Sequence, residues 1–304
     1  MKISIFDIDL SRPAASATSL DAISMQIKRS QQQGFSGYWL PQATGMDALT
    51  ALAAIGSGVD IPMGVAVVPI YNRHPAALAQ QALTVNKALN GKLTLGVGAS
   101  HRVFVERVWG YNFDRPVNYM AEYLEILLLL LEERQAYMKG KRLVMRGELD
   151  IEGPACAVMV AALGPRMLEL AGKTTAGTIT WMAGQKTIRD FVVPTINDAA
   201  EAAGRSSPQV IVGLPVCVTD SIIAAKKRAT ALLSKEEQAS SYKQMLEREG
   251  LSSAGEICII GNEDHVAQRL DEFFTAGASS ILAAPTGTPE EVERTYNALA
   301  ALVT

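Results

Sequence analysis

Eight short segments of this chain are apolar on consecutive rather than alternate positions, and each is bounded by Gly, Pro or polar turns. They are Ile3 to Ile8, Gly37 to Leu40, Met63 to Ile70, Leu93 to Val97, Ala157 to Leu163, Thr178 to Met182, Val210 to Val218 and Ser280 to Ala284. Unbroken apolar runs of this length are the pattern of strands buried on both faces, as in a parallel sheet covered by helices. Between them lie segments of helical period. Leu20, Ile23 and Ile27 share one face of the first, which Gly34 stops. Asp47 can cap the second, Pro75 to Leu89 follows the third strand, and Met120 to Leu131 follows the fourth. Pro165 suits the first turn of a helix, and His265 to Phe274 and Pro289 to Leu302 complete the series. Eight strands each followed by a helix predict an α/β chain folded as a (β/α)8 barrel, with its site at the carboxyl ends of the strands.

No linker or change of composition divides the chain, so one domain is expected over residues 1–304, with insertions near 102–116, 137–153 and 224–250. The second insertion reads as a loop or hairpin. The third carries Lys226, Lys227, Arg228, Glu236 and Glu237 and reads as a solvated helical excursion. Hydrophobic residues make up 48% and charged residues 19%, against roughly 25% charged in soluble proteins generally, which excludes a disordered chain. A formal charge of -3 without a basic or acidic run argues against nucleic acid and anionic membranes as partners. Asp7 and Asp9 interrupt the apolar stretch a signal peptide would need, and no run of 18 apolar residues occurs; a soluble, cytoplasmic protein is expected. Cys156, Cys217 and Cys258 read as buried thiols, and with only His74, His101 and His265 no metal-ligand spacing can be drawn.

The strand ends carry the candidate chemistry. After the fifth strand, Gly164-Pro165-Arg166-Met167 offers a close backbone approach, free N–H groups of a first helical turn and a cation, which suit a phosphate; an ordinary strand-to-helix turn is the alternative. Gly96-Val97-Gly98 lacks the third glycine of a dinucleotide fingerprint, where His101 stands, and suits instead a strand end approached by a flat ring or a neighbouring backbone. His101 can donate a proton or a hydrogen bond, or simply face solvent. Asp7 and Asp9 read as turn chemistry rather than metal ligands. Trp109, Tyr111 and Phe113 can wall a pocket or pack a core, as can Trp181 at the end of the sixth strand. His74, in an Arg-His-Pro turn, can cap the third helix.

Taken in order, several of these segments form one pattern: Val65-Ala66-Val67 with Arg73-His74-Pro75, then Leu89 to Gly98, then Ala161-Ala162-Leu163-Gly164-Pro165-Arg166-Met167-Leu168-Glu169-Leu170-Ala171, then Ala176-Gly177-Thr178. That ordered set resembles the luciferase-like monooxygenase superfamily, and within it the branch of coenzyme F420-dependent oxidoreductases. The resemblance implies a TIM-like barrel with inserted segments, holding a flavin or deazaflavin in its mouth with the phosphate near Gly164 to Met167. It implies a non-proline cis peptide mapping onto Ala66-Val67, backing the ring, with Gly98 and Ala99 lining it and Ala161, Ala162 and Leu163 in the same wall. Trp109 and Trp181 are the expected substrate-pocket residues. Many relatives carry an acid after the second strand, where this chain has Pro41-Gln42-Ala43. Gln42 can orient a substrate but not exchange a proton, so His101 is the replacement considered for that role.

The implied activity is hydride transfer between the deazaflavin C5 and a small organic substrate. FMN, reduced by a separate enzyme and used by a monooxygenase, is the alternative cofactor. A barrel lyase or isomerase acting on a phosphorylated metabolite, or a non-catalytic flavin-binding barrel, are further alternatives. A homodimer is also implied; the helix around Leu49 to Ile55 and the run Ile126 to Leu131 could supply the surface, as barrel packing equally could. The low charge and sparse ionisable groups at the strand ends suit chemistry carried by a bound cofactor.

Overall fold

The structure is a computed structural model that describes residues 1–8, 19–234 and 240–303. In chain order the strands are β1 (Ile3–Phe6), β2 (Tyr38–Leu40), β3 (Met63–Pro69), β4 (Leu93–Gly98), β5 (Gln135–Lys139), β6 (Val144–Glu148), β7 (Ala157–Ala161), β8 (Gly177–Trp181), β9 (Gln209–Val218), β10 (Ile259–Gly261) and β11 (Ser280–Pro285). Eight of them close a parallel barrel in the order β1-β2-β3-β4-β7-β8-β9-β11, with β11 back on β1. These are the eight segments read from the sequence. β1 is shorter than that reading: the Asp7 N–H still donates to the Trp39 carbonyl of β2 at 2.9 Å, but the Ile8 N–H turns back to the Phe6 carbonyl at 2.9 Å and takes the chain out of the wall after Asp7. Asp9 lies outside the described residues.

Alternation along the strands divides the apolar side chains between two cores. Ile3, Ile5, Val65, Leu95, Val160 and Val212 face the helices, while Phe6, Trp39, Met159, Ile179, Ile211 and Leu282 pack together inside the barrel. The helices are α1 (Leu20–Gln32), α2 (Ala48–Ile55), α3 (Pro75–Ala88), α4 (Pro116–Glu132), α5 (Pro165–Thr174), α6 (Gln185–Thr187), α7 (Val193–Ala202), α8 (Ile222–Leu233), α9 (Ser240–Glu249), α10 (Glu263–Thr275) and α11 (Pro289–Ala300). Asp47 caps α2 by accepting from Thr50 N–H at 2.9 Å, and the His74 ring nitrogen caps α3 by accepting from Ala76 N–H at 3.2 Å.

Several features depart from the sequence reading. α6 runs through a π-type turn (Ile188–Val192) into α7, a helical stretch whose period is broken at that turn. β10 pairs with β9 outside the barrel: β9 is long enough to run past the end of β8, and its last residues offer a free edge. The 137–153 insertion, read as a loop or hairpin, is a hairpin, β5 against β6, anchored by Arg134, which donates to the carbonyls of Leu131, Ile151 and Gly153. The 224–250 segment is not merely solvated, since Ala225, Ala229 and Leu233 of α8 and Tyr242, Met245 and Leu246 of α9 are buried. Glu236 and Glu237 lie outside the described residues. Leu49, Leu52, Ile126, Leu127, Leu130 and Leu131 are also buried within the chain's own core, so barrel packing absorbs most of the apolar surface considered for a dimer.

Candidate active site

The carboxyl ends of the strands form the barrel mouth. On one side, the peptide between Ala66 and Val67 is cis, and the pairing of β3 with β4 shifts register between Val65 and Val68. This bulge turns the Val67 side chain toward β4. A Cβ built on Gly98 would lie 2.6 Å from Val67 Cγ2, and one on Gly96 2.3 Å from the Val65 carbonyl oxygen. The two glycines therefore answer to the neighbouring strand, the second of the two possibilities open from sequence. Ala99, Ala161 and Leu163 are half-buried along the same rim, and Ala162 is buried behind it.

After β7 the chain enters α5 at Gly164, which has extended geometry (φ -105, ψ 153) and no side-chain cap. Nothing stands within 4 Å of a Cβ placed on Gly164, and Pro165 and Arg166 are exposed beside it, with Met167 half-buried. This uncapped helix start, with unsatisfied N–H groups and an adjacent guanidinium, is electrostatically suited to an anion.

Trp181 crowns the lumen. Its ring meets Phe6 edge-on, with centroids 5.4 Å apart, and leans over Gly213, where a Cβ would come within 2.9 Å of it. Trp109 is half-buried against Phe104 in the loop after β4. Phe113 packs on Tyr71, which stacks on Tyr119 at 4.6 Å, while Tyr111 is exposed. His101 is exposed, its ring 6.5 Å from that of Tyr242 on α9. The Gln42 side-chain oxygen accepts from Ala48 N–H at 2.8 Å, so it serves the start of α2.

On the opposite side of the rim, a cavity of about 620 Å³ lies between the ends of β1, β9 and β11 and the helices α1, α8 and α11, lined among others by Phe6, Asp7, Cys217, Arg228, Val292 and Tyr296. The cavity and the Gly164 turn thus occupy opposite halves of the barrel rim. The Asp7 carboxylate accepts a hydrogen bond from the hydroxyl of buried Tyr38. Burial first, and then Asp7, push the Tyr38 hydroxyl well above its usual range, so it remains a donor. Cys217 is pushed up to about 11 by burial and then by Glu291, which leaves a neutral thiol in the cavity wall. Arg228 is tied to Glu291, which also accepts from Thr219 and from Thr288 N–H.

The sequence reading thus named the rim around β3, β4 and β7 but passed over the Asp7–Tyr38 pair. Asp7 was visible as a strand-end acid; nothing in the apolar pattern of β2 singles out Tyr38. Among the described residues no group of three His, Cys, Asp or Glu could hold a metal ion, and no helix is long and apolar enough to cross a membrane.

Comparisons with known proteins agree with this fold. The chain is 26% identical over 243 residues to a 5,10-methylenetetrahydromethanopterin reductase of Methanolobus tindarius, covering 79% of this chain and 74% of that one. Its fold superposes on the coenzyme F420 dependent tetrahydromethanopterin reductase of Methanopyrus kandleri with a TM-score of 0.80 at 19% identity, covering 99% and 97% of the two chains. It is similar to the same degree, with a TM-score of 0.79 at 15% identity over 100% and 98%, to the oxygenating constituent of 3,6-diketocamphane monooxygenase from Pseudomonas putida, solved with FMN. The luciferase-like monooxygenase family model matches residues 1–280, nearly the whole barrel, and the chain belongs to that family.

Proposed function

We propose that this protein is an F420-dependent oxidoreductase that moves a hydride between the deazaflavin and a small organic molecule. The observation that carries the reading is the α5 start at Gly164, uncapped, open and flanked by Arg166, on the same rim as the Ala66–Val67 bulge. These residues fit a phosphorylated ring cofactor: Gly164 to Met167 would hold the phosphate, and Ala66, Val67, Ala99, Ala161 and Leu163 would wall the ring, with Ala162 packed behind them and the Gly98 backbone beside them. F420, when bound, supplies a hydride donor or acceptor at its C5 carbon.

The chain's own residues do the rest. Rigid strand ends would hold the reacting partners in line, which lowers the entropic part of the barrier to such a transfer. The 620 Å³ cavity, in the range usual for small-molecule sites, takes the substrate on the β1, β9 and β11 side, with Phe6 in its wall and Trp181 packed against Phe6 from the lumen. We assign proton exchange to the Asp7 carboxylate, oriented by the Tyr38 hydroxyl. His101, exposed on the cofactor side, is left as a hydrogen-bond donor to the ligand, and Trp109 as an outer wall.

The second reading keeps the fold and uses reduced FMN in a monooxygenase, which the likeness to the diketocamphane enzyme supports. Oxidation of reduced F420, followed at its visible absorbance against a panel of ketones, imines and enones, tests the first. Turnover only with reduced FMN and oxygen would favour the second. Inertness with both, without binding, would return the reading to a lyase, isomerase or non-catalytic barrel. A cytoplasmic homodimer is part of the proposal, and sedimentation of the purified chain tests the dimer.

A further inference from the structure

Two phenols stand near the Asp7 carboxylate, and they meet it differently. Tyr38 is fully buried, donates to Asp7 and is not part of the cavity wall. Tyr296, on α11, is also buried but lines the 620 Å³ cavity together with Asp7. Its ring has a set position. Phe35 meets it edge-on, with centroids 6.2 Å apart, and the Arg29 guanidinium lies 4.4 Å over it. Arg29 is itself fixed by two hydrogen bonds of 2.8 Å to the Glu293 carboxylate.

The Tyr296 hydroxyl makes no hydrogen bond among the described residues, yet unlike that of Tyr71 it is not sealed in the core. A phenol hydroxyl in a mostly apolar wall normally finds a partner, and here the cavity is the space for one. Burial, and after it the Asp7 charge, hold this hydroxyl well above its usual range, so it keeps its proton and acts as a donor. The Asp7 charge weighs on it more than the Arg29 charge 4.4 Å over the ring, which puts carboxylate and phenol at close quarters. An acceptor and a donor therefore share one stretch of wall. Among the described lining residues the other charge is Arg228, and Glu291 balances it. A ligand atom that gives a hydrogen bond to Asp7 and takes one from Tyr296 is a neutral hydroxyl oxygen; an ammonium nitrogen gives but cannot accept.

We propose that Tyr296 grips the substrate by donating to the oxygen on the reacting carbon, so that the site selects neutral alcohols and the carbonyl compounds they become, a proposal that rests on the functional reading above. In the oxidative direction the carbinol C–H leaves as hydride to the oxidised deazaflavin, the hydroxyl proton passes to the Asp7 carboxylate, and the C–O bond becomes a carbonyl. Tyr296 keeps its proton throughout.

Cyclohexanol and cyclohexylammonium are the probes, titrated into full-length wild type and Tyr296→Phe carrying tyrosine isotope-labelled at Cζ for NMR. Phenylalanine keeps the ring, so the contacts with Phe35 and Arg29 persist. In wild type, cyclohexanol should move the Tyr296 Cζ resonance, identified by its loss in the variant. Tyr296→Phe should weaken cyclohexanol about three- to tenfold, the scale of one neutral hydrogen bond, and change cyclohexylammonium by less than about twofold. Equal loss for both probes, or none for either, would overturn the grip, as would cyclohexanol that fails to bind or leaves the Tyr296 resonance unmoved. Adding F420 and following its absorbance over a panel of alcohols separates the two claims. Turnover with unchanged KM in Tyr296→Phe overturns the grip and leaves the functional reading standing. Cyclohexanol held by Tyr296, with no alcohol passing hydride to F420, overturns the functional reading and the substrate class with it, and upholds Tyr296 as the oxygen-binding residue of the cavity.

Discussion

Val67 occupies the space in which a side chain at position 98 would stand: a Cβ on Gly98 would lie 2.6 Å from Val67 Cγ2 and 3.3 Å from Ala161 Cβ. Gly98→Ala should therefore overpack the rim and cost about 1–3 kcal/mol. Val67→Ala vacates that space, so in the double variant the second change should cost roughly 1 kcal/mol less than in wild type. Urea unfolding of the four proteins measures the coupling; strictly additive costs would contradict the contact. Gly96→Ala, which meets the Val65 carbonyl oxygen at 2.3 Å as well as Val67 Cγ1 and Ile179 Cδ1 at 2.8 Å, should be relieved only in part by Val67→Ala, since the carbonyl contact remains.

Asp47 caps α2, pairs with Arg73 at 2.8 Å and accepts from Gln81 at 3.0 Å. Burial alone would raise its pKa, but the hydrogen bonds from Arg73 and Thr50 outweigh it and hold the carboxyl below the usual range. A folded value below the unfolded value of about 3.9 means a contribution present above that pH and lost as pH falls through the folded value. Asp47→Ala should cost about 2 kcal/mol and Asp47→Asn, which retains the cap, about 1 kcal/mol. In denaturation profiles the gap between wild type and Asp47→Asn should narrow below about pH 4; a gap that widens there would refute the assignment.

Asp7 is the carboxylate that β1 brings to the cavity, held by Tyr38. Asp7→Asn should lower kcat roughly 100-fold or more, the usual scale of a lost general acid or base, while leaving cofactor affinity within about threefold. Tyr38→Phe, which removes only the orienting hydroxyl, should lower kcat by about tenfold. His101→Asn should cost less than about fivefold, since its exposed ring lacks a desolvated surrounding. Steady-state kinetics on the three variants rank them, and a His101 effect larger than that of Asp7 would move the proton to His101.

Arg166 stands exposed at the uncapped start of α5. Arg166→Ala should weaken F420 binding about five- to tenfold and leave a deazaflavin without phosphate unaffected. Equal loss for both ligands, read by fluorescence titration, would place the phosphate elsewhere.

The barrel was legible in the chain because burial on both faces writes itself as consecutive apolar residues, and each of the eight segments became a wall strand. β10 was not, since three residues paired outside the barrel carry no pattern of their own. The rim residues after β7 were legible because helix starts follow local rules: Gly164 and Pro165 announce one regardless of the rest of the fold. The Asp7 pairing was not, for the opposite reason. Its partner Tyr38 is distant in sequence, and only closure of the barrel brings the two together. Charge in the 224–250 segment suggested a solvated helix because Tyr242, Met245 and Leu246, the face that matters, are few among it.

The central claim is that the rim from Ala66 to Met167 binds a phosphorylated deazaflavin. Isothermal calorimetry of the purified chain with F420 and, separately, with FMN tests it most directly. F420 should bind one-to-one, at least tenfold more tightly than FMN, and more weakly in Arg166→Ala. Tight binding of FMN with none of F420 would contradict it.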